Sequence, residues 1–216
     1  MAIKPILFNT EMVRAILDGR KSCTRRIVKH DVEAILNSPF HKENPDVEDK
    51  QIISKLCMPP YQPGDILYVR ETWCKYTKRV GKGEACYLKE FYGYKASIAN
   101  SEDANEPWKP SIYMPKEAAR IWLKVTDVRV ELLQEITEKQ ACMEGTDPWD
   151  EACYENNGWH PTLSDPDSGG DPNMVDGFHK LWNSTIKKSD LDHYGWNANP
   201  WVWVIEFERC ENPEEN

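Results

Sequence analysis

Lys21 and Thr24, three positions apart, carry the most specific chemistry in the chain. A threonine hydroxyl becomes a nucleophile when a neighbouring base removes its proton, and a lysine serves as that base once burial and nearby cations lower its pKa. Arg20, Arg25 and Arg26 flank the pair and supply such cations. Residues three apart do not share a face of an ideal strand, so a basic strand with an exposed threonine fits the same spacing. The pair follows Gly19, which reads as a helix stop, and where the chain turns both side chains can face one pocket.

Glu144 is the second anomaly. It ends a short helix whose start is marked by Thr137 and Gln140 in capping-box spacing and whose stop is Gly145. The negative end of a helix disfavours a carboxylate, so one kept there beside a pocket suits a proton donor to a leaving nitrogen. A frayed surface glutamate is the plain alternative. The five histidines are scattered, no Cys or His pair has zinc-finger or HExxH spacing, and no P-loop or GxSxG elbow is present. The expectation is therefore chemistry without a metal or cofactor.

The elements that must position these residues are mostly short strands. Residues 3–8 read as a strand, and Asn9 or Thr10 caps a helix carrying Met12, Val13, Ile16 and Leu17 at helical spacing. Residues 23–28 read as extended, a Gln62-Pro63-Gly64-Asp65 turn launches a strand over 66–71, and apolar alternation marks another over 119–131. Val175, Phe178, Leu181 and Trp182 mark a late helix, and Trp201, Trp203, Ile205 and Phe207 share one face of a closing strand. Between these lie polar stretches near 29–61, 75–115 and 146–197, read as insertions, the middle one irregular and the part over 146–173 a mobile flap. The pattern predicts an α+β fold: one domain spanning 1–216, built as a small curved or closed β-barrel with short flanking helices and long loop insertions. A parallel α/β sheet fits poorly, because helices and strands do not alternate regularly.

Composition narrows the function classes. The chain has 216 residues, 40% of them hydrophobic and nine of them tryptophan, enough for a core without disulfides. Its formal net charge of -9 repels a polyanion overall, so any nucleic-acid contact has to be local. Arg20, Lys21, Arg25, Arg26 and Lys29 form the densest basic stretch. Seven cysteines without short paired spacings point to reduced thiols in a cytoplasmic protein. The N-terminus lacks an apolar signal core, and the longest apolar runs fall far short of the roughly 20 residues a membrane span needs, so no membrane partner is expected.

Four segments resemble the ASCH domains of the PUA-like superfamily, small β-barrels common in bacteria and phages. They are Gly19-Arg20-Lys21-Ser22-Cys23-Thr24-Arg25, Pro63-Gly64-Asp65-Ile66-Leu67-Tyr68-Val69, Thr137-Glu138-Lys139-Gln140-Ala141-Cys142-Met143-Glu144 and the closing Val204-Ile205-Glu206-Phe207. The opening Lys4-Pro5-Ile6-Leu7-Phe8-Asn9-Thr10 and the segment Ser111-Ile112-Tyr113-Met114-Pro115 look like the phage or prophage branch. One branch of the family, the bacterial N4-acetylcytidine amidohydrolases, works with a lysine, a threonine and a glutamate, which fall here on Lys21, Thr24 and Glu144. The resemblance thus implies a small-molecule nucleoside substrate, an N4-acylated cytidine. Read from the residues themselves, the candidates to bind it are Arg20, Arg25 and Arg26, beside the Lys21–Thr24 pair, and Trp73. Tyr68 and an insertion tryptophan are the other rings able to stack on a base. Other family members are regarded as RNA-binding modules, so a non-catalytic RNA-binding domain is the alternative it implies.

Overall fold

The computed structural model describes residues 1–44, 46–82, 86–97, 107–146 and 174–214. The strands are β1 (Ile3–Leu7), β2 (Cys23–Ile27), β3 (Ile66–Arg70), β4 (Trp73–Val80), β5 (Tyr87–Tyr94), β6 (Trp122–Leu132) and β7 (Trp201–Cys210). The helices are α1 (Thr10–Leu17), α2 (Val32–Leu36), α3 (Pro39–Glu43), α4 (Asp49–Leu56), α5 (Glu138–Met143), α6 (Met174–Thr185) and α7 (Leu191–Tyr194). The fold is α+β. A five-stranded sheet runs in the order β1-β3-β6-β7-β2, and β4 and β5 form a separate two-stranded sheet.

The chain divides into two compact units, one of residues 1–19, 64–124 and 208–216, the other of 20–63 and 125–207. In the first, β1 lies parallel to β3, and β3 antiparallel to the start of β6. Asp65, in the turn before β3, ties that start to the N-terminus by accepting from the Ala2 amide at 2.9 Å and the Lys4 ammonium at 2.8 Å. Asn9 caps α1 as its spacing predicts, its side chain accepting from the Met12 amide, and Gly19 takes the left-handed φ of 75° that follows a helix end.

In the second unit β2 lies antiparallel to β7, with Thr24 opposite Ile205 and Arg25 opposite Val204. The closing strand is buried on both faces: Val202 and Val204 are as inaccessible as Ile205. Its Val202 and Val204 face joins Cys23, Leu133, Ile136, Ala141, Phe178 and Trp182 in one apolar cluster, which seats α5 and α6. Burying a side chain of this size contributes about 1.5–3 kcal/mol, so this cluster holds the site's elements in place.

Two expectations are corrected. The sheet is not closed into a barrel among the described residues: β1 and β2 are its edges. Closure requires those edges to pair, and β1 is a five-residue strand in which Pro5 lacks an amide donor. The stretch near 75–115, expected to be irregular, holds the β4–β5 hairpin in eight-residue register. Its outer residues are exposed on both faces, so no apolar alternation marks it in the sequence. The polar stretch near 29–61 contains α2, α3 and α4; Asp31 and Ser38 cap the first two, and Ile52 and Ile53 anchor the third. The expected flap over 146–173 lies, apart from Thr146, outside the described residues.

Candidate active site

Lys21 and Glu144 meet because a helix end needs donors. The last carbonyls of an α-helix have no partner within it. At the end of α5, the Ser22 amide donates to the Met143 carbonyl at 2.9 Å, Lys21 Nζ to the Glu144 carbonyl at 2.8 Å, and an Arg20 guanidinium N–H to the Gly145 carbonyl at 3.1 Å. Three consecutive residues thus satisfy three consecutive carbonyls, and cations sit at the negative end of the helix. The Thr137 and Gln140 capping box fixes the other end, and Gly145, at φ 79°, terminates the helix as expected.

That docking buries a charge cluster. Lys21 Nζ is 2.7 Å from Glu144 Oε2 and Arg25 donates to Glu144 Oε1 at 3.1 Å; the lysine and arginine side chains are wholly inaccessible and the glutamate nearly so. The Cys23 thiol lies 4.0 Å from Glu144 Oε1. Arg25 also reaches Glu131 at 3.4 Å, and Glu131 accepts from Arg129 at 2.7 Å, which in turn pairs with Asp127 and Glu206. The network runs from buried Lys21 to half-exposed Asp127. It meets the surface at a depression of about 440 Å³ lined by Lys50, Ser54, Lys55, Arg129 and Glu131 among others. Phe178 of α6 packs over the Arg25 guanidinium at 5.5 Å.

Burial sets the proton affinities. Removal from water lowers the Lys21 ammonium below its ordinary value of 10.5, against the opposing attraction of Glu144. Burial, reinforced by Glu144, raises the Cys23 thiol to about 12. Lys21 is therefore a buried amine that gives up its proton more readily than usual, whereas Cys23 stays a thiol and is no nucleophile.

No family model matches the chain, and no curated protein matches it. Among solved structures, the crystal structure of an ASCH domain from Lactobacillus crispatus JV V101 is similar at 10% identity, over 96% of this chain and 79% of that one, with a TM-score of 0.36. So distant a likeness adds nothing about the chemistry, and the site stands on its own geometry.

The structure brings together Lys21, Arg25 and Glu144, with Arg20 at the adjacent helix end. Thr24 is buried in β2, and strand alternation turns its side chain to the face opposite Cys23 and Arg25. Arg26 is half-buried on that same opposite face and donates to the Arg25 carbonyl at 3.3 Å. Trp73 belongs to the other compact unit, packed against Met114 and Ala118 with Lys109 over its ring at 5.1 Å. Sequence reasoning missed Cys23, Glu131, Arg129 and Glu206. The period of two was their signal: Lys21, Cys23 and Arg25 recur at alternate positions, as do Asp127, Arg129 and Glu131.

Proposed function

We propose that this chain is an amidohydrolase that removes the acyl group from the exocyclic nitrogen of an N4-acylated cytidine or a related nucleoside. The observation that supports it best is the buried Lys21–Glu144 pair, a base and an acid 2.7 Å apart with the amine's proton weakly held. Both are the residues that the ASCH resemblance assigns to proton transfer. Transfer of a proton within the pair, from the Lys21 ammonium to Glu144, leaves a neutral amine and a carboxylic acid. The amine takes the proton of Thr24, and the threonine oxygen attacks the amide carbonyl to form a tetrahedral intermediate. Collapse breaks the C–N bond as Glu144 protonates the departing amine, leaving an acyl ester on Thr24. Water, deprotonated by Glu144, then attacks the ester carbonyl; collapse releases the carboxylic acid, and the Lys21 ammonium returns its proton to the departing Thr24 oxygen.

Arg25 positions the acid: it donates to Glu144 Oε1 at 3.1 Å while Lys21 holds Oε2 at 2.7 Å, so the carboxylate keeps one orientation. The assignment of Thr24 rests on the resemblance, since alternation aims it away from the Arg25 face. The rival reading, RNA held by the stretch from Arg20 to Lys29, loses two of its cations, because Lys21 and Arg25 are spent on Glu144.

The test is release of cytidine from N4-acetylcytidine by the purified, metal-free protein, with deoxycytidine and larger acyl analogues alongside. Lys21→Ala, Thr24→Ala and Glu144→Ala are each expected to lower kcat by at least about a hundredfold. Full activity in Thr24→Ala removes the nucleophile assignment. No release from any acylated substrate by the wild-type chain removes the proposal.

A further inference from the structure

The β4–β5 hairpin has a charge the rest of the chain lacks. Across residues 73–95 the sequence carries Lys75, Lys78, Arg79, Lys82, Lys89 and Lys95 against Glu84 and Glu90, a net of +4 in a chain whose formal net charge is -9. The register sorts the side chains onto two faces. On one, Lys75 pairs with Glu90 at 2.7 Å, alongside Thr77, Arg79 and Leu88. On the other, Tyr76 lies opposite Phe91, Lys78 opposite Lys89 and Val80 opposite Tyr87.

This second face has no carboxylate among the described residues. Tyr76 and Phe91 stack at 5.8 Å with their planes 23° apart, and Lys89 reaches over the Phe91 ring at 5.6 Å. Tyr76 is 38% exposed and Tyr87 59%, so aromatic surface stands in water beside two lysines. Like charges directly opposite in a ladder are destabilising. Protecting a free sheet edge calls for cations, but not for exposed aromatic rings next to them. A ligand that supplies negative charge and flat stacking surface together offsets both features.

We propose that this face of the hairpin is a docking surface for single-stranded nucleic acid. Lys78 and Lys89 meet successive phosphates, and Tyr76, Phe91 and Tyr87 offer rings for unpaired bases. A duplex hides its base faces and gains nothing from the rings. The surface is distinct from the Lys21–Glu144 site, shares no residue with it and does not depend on the amidohydrolase reading.

The test is fluorescence anisotropy with a labelled single-stranded RNA about 12 nucleotides long, within the span one small surface covers. The competitors are the same sequence as a duplex and a polyglutamate peptide. Single strand is expected to bind more tightly than either, with an affinity that falls as salt rises. Lys78→Glu with Lys89→Glu should weaken it at least tenfold and flatten the salt dependence. Tyr76→Ala and Phe91→Ala should each weaken it roughly 5- to 150-fold, the range for loss of one stacked base. Lys188→Glu, the same reversal at a single exposed residue of the other unit, should leave it unchanged, whereas Lys78→Glu alone should weaken it. Lys78→Gln with Lys89→Gln, which matches the glutamate pair in size but removes the charges without reversing them, must move affinity in the same direction as the glutamate pair. The proposal is overturned if the wild-type chain does not bind, if the duplex or polyglutamate binds as tightly, or if the hairpin variants bind like the wild type.

Discussion

Glu71 and Glu144 are both buried carboxylates that meet an arginine, each within its own compact unit, at 1% and 3% exposure. Glu71 is held by the fork of Arg120, at 2.8 and 2.9 Å, and that guanidinium lies over the Tyr94 ring at 4.1 Å while a further N–H reaches Ser97. The ionic partner in that set is an arginine, a side chain that does not deprotonate. Glu144 shares its charge between Arg25 and Lys21, and of these two cations the lysine is the one that can lose its proton. The first arrangement is a clamp and the second is a clamp with a titratable jaw. A buried glutamate is thus no sign of chemistry by itself; the protonation freedom of its partner is.

The widest gap between the two should appear on truncation. Glu144→Ala removes the carboxylate that two wholly buried cations, Lys21 and Arg25, share, and is expected to destabilise the fold by about 3–5 kcal/mol in urea titration. Glu71→Ala should lower stability by about 1–3 kcal/mol, since Arg120 is 27% exposed and recovers water. Equal losses would mean that the two glutamates play the same structural part.

The next effect is a pH dependence that only one region shows. The Lys21 pKa is lower folded than unfolded, so between the folded value and 10.5 the unfolded chain binds more protons and stability rises with pH. Lys21→Met should abolish this rise, and Arg120→Met should leave it intact, as measured by urea midpoints from neutral pH to just below 9.0, the ordinary thiol value above which the raised Cys23 thiol acts with the opposite sign. A rise that persists in Lys21→Met would place its origin elsewhere. The smallest expected effect is Thr137→Ala, which removes the cap of α5 and costs about 1 kcal/mol. Because α5 carries Glu144, that variant should also lower activity more than its stability loss explains.

Much of this was legible along the chain. Asn9, Gly19, Thr137, Gln140 and Gly145 are local signals whose meaning comes from backbone sterics and from donors within a few residues, so α1, α5 and their stops could be read directly. Alternation marked β6 and β7 because each buries a face. The β4–β5 hairpin escaped because exposure erases alternation, and α2, α3 and α4 because short helices leave little periodicity. At the site, residue types and caps marked Lys21, Thr24 and Glu144 as anomalies, and the ASCH resemblance joined them into one set. Only the tertiary structure decided that Lys21 and Glu144 touch across 123 residues of chain, since that contact arises from orphan carbonyls at a helix end meeting three donors of a distant segment. It also decided that Arg25 closes the cluster while Thr24 turns away, because side-chain direction in β2 is set by its pairing with β7.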